Sequence, residues 1–131
     1  MFNEIKTEKD IQDFIDKTNS LHDGYIISVI YENNGIEKIE SGHLFSPWMT
    51  ALTLQILVTS IWDTIVEIKF ECLDQWQIKD NFSDILSMTL SFNKQGHIVW
   101  ADDVWENIEE LKSCSYVIAE SMKWRIVEKT N

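Results

Sequence analysis

Apolar and polar residues alternate along several stretches of this chain, and a period of two is the pattern of a β-strand with one buried face. The clearest case is residues 66–72, in which Val66, Ile68, Phe70 and Cys72 alternate with charged residues. The other stretches are residues 25–31, 52–58, 86–92 and 116–126. Successive strands of this kind, joined by short turns, predict an antiparallel sheet of about six strands.

Residues 8–18 have the pattern of a helix instead. Thr7 and Asp10 are spaced as in a capping box, and apolar residues recur on one helical face. We therefore predict a single α+β domain over residues 1–131, with one antiparallel sheet and an N-terminal helix packed on it.

Other local signals refine this architecture. Residues 36–40 predict a short returning strand, and the sequence NKQG at residues 93–96 predicts a tight hairpin turn. Residues 102–112 are either a loop or a short late helix packed on the sheet. Glu120 interrupts the apolar face of the last strand, so we expect a bulge near it or exposure at an edge.

The charge of the chain restricts its partners. With 22 acidic and 11 basic residues, the formal net charge is -11. Such a field repels nucleic acids and anionic membranes, because proteins that bind them need basic surface. We expect a basic protein partner, and neither a nucleic acid nor a membrane.

Targeting and redox signals indicate a cytoplasmic protein. The N-terminus is charged from Glu4 onward, which predicts no signal peptide. Residues 41–62 lack charged side chains but contain too many polar ones for a lipid-facing helix, and we interpret them as a loop and a buried strand. Cys72 and Cys114 have no zinc-site spacing and are predicted to be thiols in a reducing compartment.

Motifs for catalysis are missing from the sequence. The histidines, His22, His43 and His97, show no metal-ligand spacing, and the chain has no nucleophile elbow and no phosphate-binding glycine loop. Cys72 is predicted to point into the core, where a thiol is inert. We therefore expect no catalytic residue, no metal and no cofactor.

The strongest acidic constellation lies in residues 102–110. Its carboxylates belong to Asp102, Asp103, Glu106, Glu109 and Glu110. A solvated acidic face is one interpretation. The other is a partner-binding surface, in which Trp105 supplies an aromatic anchor and the carboxylates steer a basic partner. Trp76 has polar neighbours and is a second candidate for an exposed aromatic residue.

His22 and Asp23 stand side by side ahead of the first strand. Within a strand, their side chains would point to opposite faces of the sheet. In a connection, the Asp23 carboxylate would accept backbone N–H bonds and Gly24 would be free to take a positive φ. We predict the entry to a strand rather than a catalytic pair.

Three stretches, LHDGYIISVIY, HIVWADD and SYVIAESMKWRIV, resemble small acidic bacterial α+β domains, some of which are immunity proteins of polymorphic toxin systems. The resemblance covers about a quarter of the chain. It implies a protein without catalytic residues, because immunity proteins act by covering or distorting a toxin.

Three functional hypotheses follow. The first is a non-enzymatic cytoplasmic binding protein that engages a basic partner through residues 102–110. The second is a small-ligand or enzymatic site in which His22, Asp23 and Asp102 meet in the fold. The third is a subunit of a homodimer formed through an uncovered face or edge of the sheet.

Overall fold

A computed structural model describes residues 1–79, 84–104 and 113–127, and the structural statements below concern this part of the chain. The elements in chain order are β1 (Asn3–Glu4), α1 (Glu8–Thr18), β2 (Gly24–Asn33), β3 (Ile36–Ile39), β4 (Gly42–Phe45), β5 (Thr50–Val58), β6 (Thr64–Gln77), β7 (Thr89–Phe92), β8 (Ile98–Ala101) and β9 (Tyr116–Val127). Short 3₁₀ turns lie at Asn19–Leu21, Pro47–Met49 and Thr59–Ile61. Within the described ranges, no helix combines the length and apolar character that crossing a bilayer requires.

The main sheet has the strand order β2-β5-β6-β9-β8-β7, with β1 added beside β9, and all of its pairings are antiparallel. This confirms the predicted α+β class with an antiparallel sheet. The sheet has seven strands rather than about six. The additional strand, β1, is two residues long, which is too short to show alternation in the sequence.

The N-terminal helix α1 has the predicted bounds and cap. The Asp10 N–H donates to the Thr7 hydroxyl at 3.2 Å, and the Asp10 carboxylate accepts from the Thr7 N–H at 3.0 Å. The helix ends at Asn19, whose backbone is left-handed. Its buried Phe14 packs edge to face on Trp124 of β9, with ring centroids 5.2 Å apart, and so places α1 on one face of the sheet.

The segment interpreted as either a loop or a short late helix is not helical where it is described. Asp102 to Val104 are not helical, and residues 105–112 lie outside the described residues. The Asp102 N–H instead donates to the Ser115 carbonyl at 3.0 Å, which extends the β8–β9 ladder.

The returning strand predicted at residues 36–40 does not join the main sheet. It forms β3, which pairs with β4 in a separate two-stranded sheet. We call residues 35–46 the arm. The Ser46 N–H donates to the Gly35 carbonyl at 2.8 Å and closes its base.

The sheet curls because its long strands are irregular. The register shifts between Ile26 and Ser28 in β2 and between Leu73 and Gln75 in β6. Bulges of this kind bend a strand and increase its twist. As a result, Ile85, four residues before β7, forms a bridge with Gly24 of β2, although β2 and β7 are the opposite edges of the sheet.

Cys72 departs from the alternation that placed it in the core. Its φ is 61°, and its side chain is half-buried. The register on either side puts it opposite Glu120, so the predicted irregularity near Glu120 is present but lies on the partner strand β6. The Glu120 carboxylate and the Cys72 thiol therefore lie at the same interruption of the pairing between β6 and β9.

The core lies between the sheet and α1. Leu54, Ile68 and Trp124 are opposite one another on β5, β6 and β9, and each is at most 3% exposed. Trp100 of β8 is also fully buried. On the other face of the sheet, Glu67 accepts from Arg125 at 2.6 Å.

Candidate functional site

The acidic segment is described only at its start. Trp105, Glu106, Glu109 and Glu110 lie outside the described residues. Asp102 is half-buried, and its carboxylate accepts from the Ser115 N–H at 3.0 Å. Burial raises the pKa of the Asp102 carboxyl and outweighs the hydrogen bond from Ser115, which lowers it. Asp102 therefore fixes the base of the segment.

Asp103 and Val104 face solvent just beyond this base. Val104 is 62% exposed, and its N–H donates to the Asp103 carboxylate at 2.7 Å. The Asp103 carbonyl accepts from the Thr89 hydroxyl at 3.0 Å, which ties the segment to the start of β7. Of the predicted partner-binding residues within the described ranges, Asp103 is the exposed one.

Trp76, the predicted exposed aromatic residue, is 37% exposed. Its ring stacks on Tyr31, with centroids 5.5 Å apart and an interplanar angle of 25°. One face of the Trp76 indole is therefore covered by the Tyr31 ring.

The structure brings together three connections that are distant in sequence, at residues 19–24, 59–64 and 84–89. We call this place the junction. The Ser60 hydroxyl donates to the His22 carbonyl at 2.6 Å, and the Thr59 hydroxyl donates to the Asp23 carbonyl at 2.9 Å. The Asp23 N–H donates to the Ile85 carbonyl at 2.8 Å. These bonds hold the end of α1, the β5–β6 turn and the segment before β7 against one another.

Left-handed backbone is concentrated at the junction. Apart from Cys72, every described non-glycine residue with positive φ belongs to it. These residues are Asn19, Ser20, Leu21, Asp23, Trp62 and Asp63. Such conformations cost free energy, and they cluster at functional sites, where the surrounding contacts hold them in place.

His22 and Asp23 contact each other at the junction surface. The His22 ring donates from Nδ1 to the Leu86 carbonyl at 2.8 Å, because a carbonyl oxygen only accepts. This leaves Nε2 at 3.6 Å from the Asp23 carboxylate, an ion pair when the ring is protonated. The contacts of the described residues do not join this pair to Asp102.

The turn chemistry predicted at Asp23 and Gly24 is wrong in detail. Asp23 itself takes the positive φ, 57°, and Gly24 does not. Gly24 is required by close packing, because a Cβ there would lie 2.7 Å from the Leu21 carbonyl oxygen and 2.9 Å from Ile56 Cγ2. The prediction that this stretch is the entry to a strand is confirmed, since β2 begins at Gly24.

The junction is acidic and carries exposed apolar side chains. Trp62 is 91% exposed and Leu86 is 68% exposed. Asp23, Asp63 and Asp84 contribute carboxylates, and none of its residues is Lys or Arg. Sequence reasoning missed Trp62, because the apolar residues before it favour a buried position and its left-handed backbone has no signal in the sequence.

Metal and thiol chemistry find little support in the described residues. Their His, Cys, Asp and Glu side chains nowhere gather in a group of three that could hold a metal ion. Burial, together with nearby carboxylates, raises the pKa of the Cys72 and Cys114 thiols to about 11. Both thiols are therefore protonated at neutral pH.

Two open clefts on the described surface lie away from the junction. One, of about 270 Å³, is lined by residues that include Glu32, Trp48 and Glu71. The other, of about 210 Å³, lies beside Asn3 and Asp13. Neither cleft is lined by His22, Asp23 or Asp102.

No protein-family model, curated protein or solved structure matches this chain.

Proposed function

We propose that this chain is a non-enzymatic cytoplasmic binding protein that engages a basic protein partner. The binding surface comprises the junction together with the acidic segment of residues 102–110. The observation that carries the proposal is the 91% exposure of Trp62 next to Asp63, within a surface that has no basic residue.

The chemistry of this surface suits a basic protein. An exposed indole supplies a large apolar contact area at small cost in side-chain entropy, and Trp is enriched among the residues that dominate binding energy. The surrounding carboxylates attract a basic partner and speed its encounter. Thr89 links Asp103 to the junction, so the acidic segment begins beside it.

A role as an immunity protein is the specific form of this proposal. It is supported by the resemblance of three stretches of the sequence to small acidic domains of that kind. The partner would then be a basic toxin, covered by the Trp62 side chain and the carboxylates around it.

The test is affinity capture with the purified chain, followed by identification of the bound proteins by quantitative mass spectrometry at low and at high salt. The wild type should enrich a basic protein, and high salt should weaken the complex. Trp62→Asn and the double variant Asp103→Lys with Glu106→Lys should lose that protein. Asn suits position 62 because it tolerates left-handed backbone.

Two controls match these variants. Trp48→Asn removes the 69% exposed tryptophan beyond the arm, and Glu8→Lys with Asp16→Lys reverses the same number of charges on α1. With the purified partner, Trp62→Asn should weaken affinity by about 30-fold, the size of a hot-spot effect, and Trp48→Asn should leave it unchanged. The proposal is contradicted if the site variants and the controls lose partner binding equally, or if the wild type captures no basic protein.

A small-ligand or enzymatic site is the second candidate, and the contact between His22 and Asp23 favours it. Its test is a thermal-shift screen of metabolites. A compound that stabilises the wild type but not His22→Gln would support this candidate over the first.

A further inference from the structure

The cleft of about 270 Å³ beside Trp48 lies on the face of the sheet opposite α1. Its floor is Ala51 of β5, which stands opposite Glu32 of β2 on one side and Glu71 of β6 on the other. Residues paired in this way point to the same face of a sheet. The short alanine side chain between two longer ones therefore leaves a depression, whose position is set by the register of three paired strands.

One wall of the cleft is apolar and held in place. Trp48 and Met49, in the turn before β5, line the cleft and are 69% and 55% exposed. The Thr50 hydroxyl donates to the Pro47 carbonyl at 2.7 Å and accepts from the Leu73 N–H at 2.9 Å. These two bonds fix the turn against β6. The indole and the thioether therefore form a ready surface on which an apolar ligand can lose its water.

Opposite charges enter the cleft from its two sides. Glu32 comes from β2 and Lys69 from β6, the strands that flank β5. The third charged residue of the lining, Glu71, forms an ion pair with Lys123 at 3.2 Å. Within the described ranges, the side chains of Glu32 and Lys69 have no such partner. One negative and one positive group are therefore available to a ligand.

We infer that this cleft binds a free α-amino acid with a large apolar side chain. Its ammonium group faces Glu32, its carboxylate faces Lys69, and its side chain packs on Trp48 and Met49. A ligand with a positive charge alone would be repelled by Lys69, and one with a negative charge alone by Glu32, whereas a zwitterion pairs with both. The cleft is smaller than the roughly 300–1,000 Å³ that drug-sized ligands occupy, which favours a ligand of this size.

This site is separate from the junction, so the inference does not depend on the proposed binding of a basic protein. The junction lies at the Gly24 end of β2, and the cleft lies near the other end, at Glu32. Trp62→Asn should leave amino-acid binding unchanged, and Trp48→Asn should weaken it at least ~10-fold. The two variants therefore report on the two sites independently.

The experiment is isothermal titration calorimetry of the full chain with L-leucine and L-phenylalanine, and with two analogues of leucine that each lack one charge. Isoamylamine keeps the ammonium group, and isocaproate keeps the carboxylate. Both amino acids should bind. Each analogue should bind at least ~10-fold more weakly than leucine, because one charged group of the cleft then loses its partner. This comparison uses the wild type and needs no variant.

Variants assign each charge of the ligand to its partner. Glu32→Gln should weaken leucine binding at least ~10-fold without weakening isocaproate binding, since isocaproate has no ammonium group. Lys69→Gln should weaken leucine binding as much without weakening isoamylamine binding. The matched controls are Glu37→Gln and Lys38→Gln, which remove the same charges from the arm outside the cleft and should leave leucine binding unchanged.

Amide chemical shifts of the wild type locate the bound leucine. Those of Thr50 and Ala51 should move on titration, and those of Ser60 and Asp63 at the junction should not. The inference is overturned if neither amino acid binds at millimolar concentration, if either analogue binds as tightly as leucine, or if cleft variants and controls lose binding equally. Binding of D-glucose that depends on Trp48 but not on Glu32 or Lys69 would assign the cleft to a sugar and would also overturn it.

Discussion

The rings of Tyr31 and Trp76 stack with centroids 5.5 Å apart, although the two residues lie on strands that are not neighbours. Tyr31 is opposite Leu52 of β5, and Leu52 is opposite Phe70 of β6. A straight β6 would carry Trp76 six residues beyond this level. The irregularity that begins at Cys72 bends β6 and brings the two rings together.

This contact should be measurable as a coupling between the two residues. In a double-mutant cycle of Tyr31→Ala and Trp76→Ala, we expect about 0.5–1.5 kcal/mol of coupling in the free energy of unfolding, the range for aromatic pairs. Urea denaturation of the four proteins measures it. Tyr31→Ala combined with Trp48→Ala is the control pair and should be additive. Additivity of the first pair would show that the stack contributes nothing.

Gly24→Ala should destabilise the fold by about 1–3 kcal/mol, as overpacking of a filled site does. The new Cβ would overlap the Leu21 carbonyl oxygen and Ile56 Cγ2. Gly96→Ala is the comparison, because its φ of 80° gives strain but its Cβ meets no atom within 4 Å. Thermal and urea unfolding should show the larger loss at Gly24. A smaller loss of stability in Gly24→Ala than in Gly96→Ala would mean that the junction shifts at little cost to accommodate the added Cβ.

Asp102 should lower stability as pH rises. Burial raises the pKa of its carboxyl above the ordinary value of 3.8, so its contribution is fully present below pH 3.8 and is lost as pH rises through the folded-state pKa. Asp102→Asn keeps an oxygen for the Ser115 N–H but does not titrate. The free energy of unfolding of the wild type, relative to this variant, should therefore fall between pH 3.8 and neutrality. Urea titrations across that window test the sign.

Asp10 should show the opposite dependence. The hydrogen bond from the Lys6 N–H, with those of Thr7, lowers the pKa of its carboxyl below 3.8. Its contribution is present above pH 3.8 and is lost as pH falls through the folded-state pKa. The free energy of unfolding of the wild type, relative to that of Asp10→Asn, should therefore increase as pH rises. If the two comparisons showed the same pH trend, the assignment with the opposite expected sign would be refuted.

Cys72 should react slowly with iodoacetamide, because burial and the adjacent Glu120 raise the pKa of its thiol to about 11. Glu120→Gln removes the charge that opposes the thiolate, so alkylation of Cys72 at mildly alkaline pH should become faster. Peptide mass spectrometry resolves the two cysteines. Cys114, whose pKa is raised by burial and by Asp102, is the internal control and should keep its rate.

The parts of the fold that were predicted correctly depend on neighbours in sequence. The capping box of Thr7 and Asp10 lies within one helical turn, and the β7–β8 hairpin closes over the short NKQG turn. The alternation at residues 66–70 also holds, because one face of the strand packs on the core. In each case the free energy that selects the structure comes from contacts a few residues apart or from one buried face.

The candidate site was predicted poorly, since its contacts join distant residues. Asp102 is held by Ser115, and His22 by Leu86. The exposure of Trp62 depends on its left-handed backbone, which the hydrogen bonds of the junction hold in place. No local sequence pattern predicts these contacts between distant residues.

By itself, the sequence determined the class of this protein: an acidic α+β domain with a capped N-terminal helix and antiparallel strands. It did so because hydrophobic periodicity and turn chemistry act locally. The tertiary structure alone decided the bend of β6 at Cys72, the separation of the arm from the main sheet and the assembly of the junction. These features arise where the sheet curls until Ile85 meets Gly24, and that contact between opposite edges depends on the summed twist of all the strands between them.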